Sequence, residues 1–176
     1  MPAPHTARQA PPTGRYAIDP AGSAVTFATR HMFGLGAVRG TFAVTRGTLT
    51  LAEPVARSTA EAEVSTASFS TRNFMRDPHV RSRMFLDARR HPAISFHTTD
   101  IRPSGDAWVV TGALVVKGRT APLELLVTDV DVAPEGRTLA FRASGTVDRY
   151  AHGVTAMRGM AARQLSVEIT VRATRA

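Results

Sequence analysis

Six histidines and fourteen carboxylates are the side chains on which acid–base or metal chemistry would have to rest, because the 176-residue chain has no cysteine. Without thiols, disulfides, zinc–thiolate sites, iron–sulfur clusters and a cysteine nucleophile are all excluded. The histidines are scattered. His91 and His97 fall in one strand-like region but do not make a spaced ligand set. No G-x-S-x-G, H-E-x-x-H or G-x-G-x-x-G pattern occurs. A metal site assembled across strands stays open, and with it the alternative of an enzyme, metal-assisted or otherwise, acting on a small hydrophobic substrate. The densest set of charges is Arg76, Asp77, Arg81 and Asp87. These four could join a helix to its support through charge-assisted bonds, or could simply be solvated.

The elements that must position these groups are mainly strands. Alternation of period two runs through Val25 and Phe27, through Phe42 and Val44, and through Ile94 and Phe96. It is clearest in the second half of the chain. Trp108, Val110, Leu114 and Val116 share a face with Gly112; Leu123, Leu125 and Val127 share another. Leu139, Phe141, Ala143, Gly145 and Val147 follow, then Leu165, Val167, Ile169 and Val171. Turn signals at 103–106, 117–119 and 134–136 separate these runs. About eight or nine strands at hairpin spacing predict an all-β antiparallel meander closed into a barrel. Residues 73–92 break the alternation and predict one short helix, with Asn73 as its N-cap and Pro78 in its first turn.

A barrel of this size is either filled by its own side chains or holds one small ligand. Small residues on inward faces, Gly112, Ala143 and Gly145, leave room unless large neighbours cover them, so the pattern admits both. In RHMFGLGAVRGTF, residues 30–42, the glycines suit a bend at a barrel mouth, with Phe33 and Phe42 lining or covering it.

Apolar residues make up 43% of the chain, enough for a real core, while only 6% are aromatic, including eight phenylalanines. The net charge of +8 comes from 22 basic residues, of which only Lys117 is lysine. Arginines spread over many strands and turns, with few aromatics among them, predict weak affinity for anionic surfaces and no specific nucleic-acid interface. Residues 1–14, rich in proline, read as a disordered arm before a domain spanning 15–176. With no signal-peptide pattern and no membrane-spanning run, the expectation is a soluble cytoplasmic protein with at most peripheral membrane contact. An apolar mouth or open edge could also support a homodimer.

The order and spacing of certain segments resemble those of the YceI-like family of polyisoprenoid-binding proteins. They are Tyr16-Ala-Ile-Asp-Pro, Arg30-His31-Met-Phe-Gly, Val38-Arg-Gly-Thr-Phe42, Arg76-Asp-Pro-His-Val-Arg-Ser82, His91-Pro-Ala-Ile-Ser-Phe96, and the run Val110–Thr120. The resemblance extends from about residue 15 to the C-terminus. It departs at residues 148–153, Asp-Arg-Tyr-Ala-His-Gly, where the family more often has Asn-Arg, a small polar residue, Asp and an aromatic before the glycine.

What the resemblance implies is a lipocalin-like barrel with an apolar tunnel. The tunnel would hold a polyisoprenoid, an isoprenoid quinone or a similar lipid for carriage, storage or sequestration. The isoprenoid is then a bound ligand, with no cofactor and no turnover. On this reading Phe27, Phe42, Phe96, Leu114, Val116, Leu125, Phe141, Val167 and Ile169 face inward, each as lining or as plain core. Phe33, Phe74, Met75, Met84 and Phe85 belong to the mouth or the helix, where methionines adapt to a guest. His31 and His79 are the candidates to meet a polar headgroup, or else are structural.

Overall fold

A computed structural model describes residues 11–30, 37–159 and 161–176. Ten strands form one antiparallel sheet: β1 (Gly14–Ile18), β2 (Ala24–Arg30), β3 (Ala37–Phe42), β4 (Val44–Leu51), β5 (Thr59–Ser65), β6 (Ala93–Ser104), β7 (Ala107–Val116), β8 (Arg119–Val132), β9 (Thr138–Asp148) and β10 (Gln164–Arg175). The sheet closes, since β1 pairs with β4 on one side and with β10 on the other. This gives an eight-stranded, lipocalin-like barrel with no free edge in the ring.

The two additional strands prolong members of that ring. β10 pairs with β1 through Ala173–Arg175 and with β2 through Ser166–Thr170. β1 and β2 therefore act as one long strand interrupted at residues 19–23, and β3 and β4 as another interrupted at Ala43. At Ala43 the chain changes partner: its N–H donates to Ser68 Oγ at 2.7 Å, and its carbonyl accepts from Ser65 N at 3.0 Å. Beyond it, Thr41 and Ser70 form a two-bond bridge that covers the outer edge of β3. Register shifts in β4, β6 and β8 supply the curvature that closure requires.

The sequence-predicted turns fall on the hairpins β6–β7, β7–β8 and β8–β9. The helix predicted between two strands is present as α1 (Arg76–Arg81), shorter than the span that suggested it. Asn73 is not the N-cap, a position that Met75 occupies; from two residues earlier its Oδ1 accepts from the N–H groups of Met75 and Arg76 at 3.0 and 2.9 Å.

The connections sort onto two ends. At the lid end lie the β7–β8 connection, the β5–β6 connection carrying α1, and the β9–β10 connection carrying a 3₁₀ turn at Arg149–His152. At the far end lie the β4–β5, β6–β7 and β8–β9 connections. Each end has its own packed cluster. Phe27, Phe69, Phe85, Leu86, Val116 and Val154 belong to the lid-end cluster, and Tyr16, Ile18, Leu49, Leu139 and Ala173 to the far-end one. At the far end Tyr16 is fully buried, and its hydroxyl donates to Pro12 O at 2.9 Å. Among the described residues no helix is long and apolar enough to cross a membrane.

Candidate lipid-binding tunnel

The barrel is hollow. A cavity of about 1160 Å³ runs between the two packed clusters and is walled mostly by apolar side chains. This exceeds the ~300–1,000 Å³ of ordinary small-molecule pockets. Ten residues at about 3.3 Å each give β7 a length near 33 Å, so the wall is long enough for an extended chain.

The wall has an unusual burial pattern. Val110, Val127, Phe141, Val147, Leu165, Val167 and Ile169 point inward and line the cavity, yet all are only half-buried. Inward apolar side chains that keep accessible surface are facing unfilled space. In a plugged barrel the same positions would be close-packed.

The void does not come from the small residues. A methyl group at Gly112 would overlap the Phe96 ring and stand 2.5 Å from the carbonyl oxygen of His97. One at Gly145 would fall 3.0 Å from Leu125 Cδ2 and 2.6 Å from Glu124 O. Each glycine is covered by a large neighbour, which decides between the two readings the pattern admitted at these positions. Gly40 is likewise no mouth bend. It lies within β3, paired with Phe27, whose ring occupies the place of its missing side chain. The hollow follows from the circumference of eight long strands, which is more than their inward side chains fill.

All nine expected wall residues line the cavity, Phe27, Phe42, Phe96, Leu114, Val116, Leu125, Phe141, Val167 and Ile169, and so does Phe85, expected at the mouth or the helix. His79 lines it as well, at the lid, with its ring edge-on to Phe85 at 5.2 Å between centroids. Phe74, Met75 and Met84 do not. They flank α1 and project outward, with 86, 75 and 58% of their surface exposed. His31 and Phe33, with Gly34 and Gly36, lie outside the described residues.

Phe69 is not among the expected lining residues, and Arg149 and His152 lie in the segment where the family resemblance departs. Phe69 lies among the polar residues Thr66, Ser68, Ser70 and Thr71, yet it is buried, stacking on Phe27 at 5.2 Å and meeting Phe42 edge-on at 5.6 Å. The bridge between Ser70 and Thr41 holds it there. Arg149 and His152, from the divergent segment, close the lid end. Arg149 is 7% exposed and has no carboxylate partner. Its guanidinium donates instead to the carbonyls of Val154, Ala156 and Ala162 at 2.8 Å and of Ala161 at 3.2 Å. Burial lowers its pKa from the ordinary arginine value; Tyr150 and Asp148 oppose this, while Arg158 adds to it. His152 is 2% exposed, with Nδ1 2.9 Å from Arg119 O. A charged fork satisfied by four backbone oxygens is a clamp on residues 154–162.

The lid has a second clamp. Asp77 is buried, and its carboxylate accepts from the backbone N–H and hydroxyl of Thr71 and from Asn73 N. Burial alone would raise its pKa, but these hydrogen bonds, with the charge of Arg81, outweigh that and hold it below the usual carboxylate range. Arg81 donates through Nε and Nη2 to Phe69 O, and Arg76 Nε donates to Thr71 Oγ1 at 3.0 Å. Arg76, Asp77 and Arg81 thus fasten α1 to the segment that carries Phe69. Asp87 is buried where the chain turns with positive φ.

The profile of the YceI-like domain matches residues 16–174, nearly all of the described barrel. The chain belongs to the YceI-like family. A relative in this family is the protein YceI of Escherichia coli O157:H7, 30% identical over 162 residues, which are 89% of this chain and 84% of that protein. Among solved structures, BcnA of Burkholderia cenocepacia superposes with a TM-score of 0.77 at 23% identity, covering 89% of this chain and 99% of BcnA. A polyisoprenoid binding domain from Saccharophagus degradans superposes with a TM-score of 0.70 at 10% identity, covering 92 and 98%. At such identities the two superpositions establish the shared YceI-like barrel.

Proposed function

We propose that the tunnel holds one long-chain apolar lipid, a polyisoprenoid, an isoprenoid quinone or a similar molecule, for carriage, storage or sequestration. The half-buried apolar wall around some 1160 Å³ of space carries this reading. The description of the Saccharophagus degradans domain as polyisoprenoid binding supports it. A hydrocarbon tail offers no hydrogen bonds, so shape and apolar lining are what such a site must provide. At about 0.8 kcal/mol per buried CH₂, each five-carbon unit contributes a few kcal/mol of gross transfer energy. Ordering a flexible chain and the cost of association offset much of this, and several units together would still give micromolar or tighter binding.

The polar groups at the lid end favour binding over turnover. Arg149 and His152 are engaged with backbone carbonyls, and among the described residues no three His, Asp or Glu side chains gather as a metal set. The test is organic extraction of protein purified from its native host, followed by mass spectrometry. A long-chain lipid in stoichiometric amount is expected. Recovery of no long-chain compound overturns the reading.

A further inference from the structure

The β5–β6 connection has two different sides. Val80, Phe85 and Leu86 pack into the lid-end cluster and line the tunnel. Phe74, Met75 and Met84 face the other way and are the most exposed large apolar side chains among the described residues. Charge divides in the same manner. Residues 71–92 contain six arginines and two aspartates, a net +4 that is half of the chain's +8. Both aspartates, Asp77 and Asp87, are buried, whereas Arg72, Arg83, Arg89 and Arg90 are exposed. The outward side of this connection therefore presents arginines and large apolar groups with no exposed carboxylate. None of the salt bridges among the described residues uses these arginines. The neighbouring β9–β10 connection adds exposed Arg158 and exposed Met157, which also lines the tunnel. The far end is different: its connections carry Glu53, Asp106 and Glu135 against Arg57 and Arg137, a slight excess of negative charge. The molecule is polarised along the barrel axis.

From this arrangement we infer that the lid end docks on an anionic lipid bilayer. Phe74, Met75 and Met84 enter the interface, and Arg72, Arg83, Arg89 and Arg90 meet the phosphates. Cations alone would suit any polyanion. The bilayer is favoured because bulky apolar side chains standing in water among those cations gain from an apolar phase, which a nucleic-acid backbone lacks. Docking in this pose would set the lid end of the tunnel against the lipid source, a consequence that rests on the tunnel reading; the docking itself does not.

The test is co-sedimentation with vesicles of phosphatidylcholine alone and of phosphatidylcholine mixed with phosphatidylglycerol, at low and high salt. The full chain is compared with the double variants Phe74→Ser/Met75→Ser and Arg83→Gln/Arg89→Gln. All four positions are exposed, and unchanged melting temperatures check that the variants fold. Binding is expected only to the mixed vesicles, weakening with salt, with each double variant about tenfold weaker or more. Failure to bind mixed vesicles, equal binding to both vesicle types, or undiminished binding by either variant overturns the inference. So does tighter capture of a labelled oligonucleotide that is indifferent to Phe74→Ser/Met75→Ser. None of these results bears on whether extracted protein contains a lipid, so the two readings fail separately.

Discussion

The ring of Phe96 rests on Gly112, two residue pairs away along the β6–β7 ladder, and fills the space a side chain there would need. Gly112→Ala would force the ring into the tunnel or push the strands apart against the His97 carbonyl. Overpacking of this kind costs about 1–3 kcal/mol. The expected outcome is a lower denaturant midpoint with an unchanged slope, together with weaker uptake of a fluorescent prenyl probe. An alanine variant as stable as the parent would show that Phe96 has another place to go.

Phe141 lines the tunnel and is half-buried, so a larger ring has room to grow inward. Phe141→Trp is expected to reduce probe affinity several-fold with little change in melting temperature, since it takes up unfilled space. Full affinity in a folded variant would mean that the guest does not pass this point.

Asp77 links folding to acidity. Its carboxyl is held below its ordinary value in the folded chain, so its contribution is present above about pH 4 and is lost as pH falls through the lower, folded value. Asp77→Asn should lower the melting temperature near neutral pH, and the gap from the parent should narrow in acid. A gap that stays constant with pH would assign the loss to packing rather than to charge.

Arg149→Lys keeps the charge but replaces a planar fork with a single ammonium, leaving buried carbonyls of residues 154–162 without donors. A loss of about 3 kcal/mol or more is expected. Limited proteolysis should cut the β9–β10 connection first. Cleavage at parental rates would show that the clamp is dispensable.

Most of the barrel was legible because its long strands bury one face. Alternation from Trp108 to Val116 and from Leu165 to Val171 identifies which side chains point inward, and the nine expected wall residues do line the tunnel. What alternation does not carry is anything fixed by a partner distant in sequence. The interruption at Ala43 depends on Ser65 and Ser68, and the placement of Phe69 depends on Thr41. Whether Gly112 was a vacancy stayed open, and Gly40 read as part of a bend, because the rings of Phe96 and Phe27 that cover them lie on other strands. Phe74, Met75 and Met84 were assigned to the mouth or the helix by apolarity, and apolarity does not tell the inner side of a short lid from the outer. No sequence signal marks Arg149 as a buried clamp, because its partners are carbonyls that every residue possesses.

The half-buried wall also bears on calorimetry. Unfolding of the empty barrel uncovers less new hydrocarbon than a solid protein of this length would, so its heat-capacity increment should fall below the usual ~12–15 cal/mol/K per residue. Loading the barrel would bring the increment up toward that range, and a scan could then tell charged carriers from spent ones without any label on the cargo.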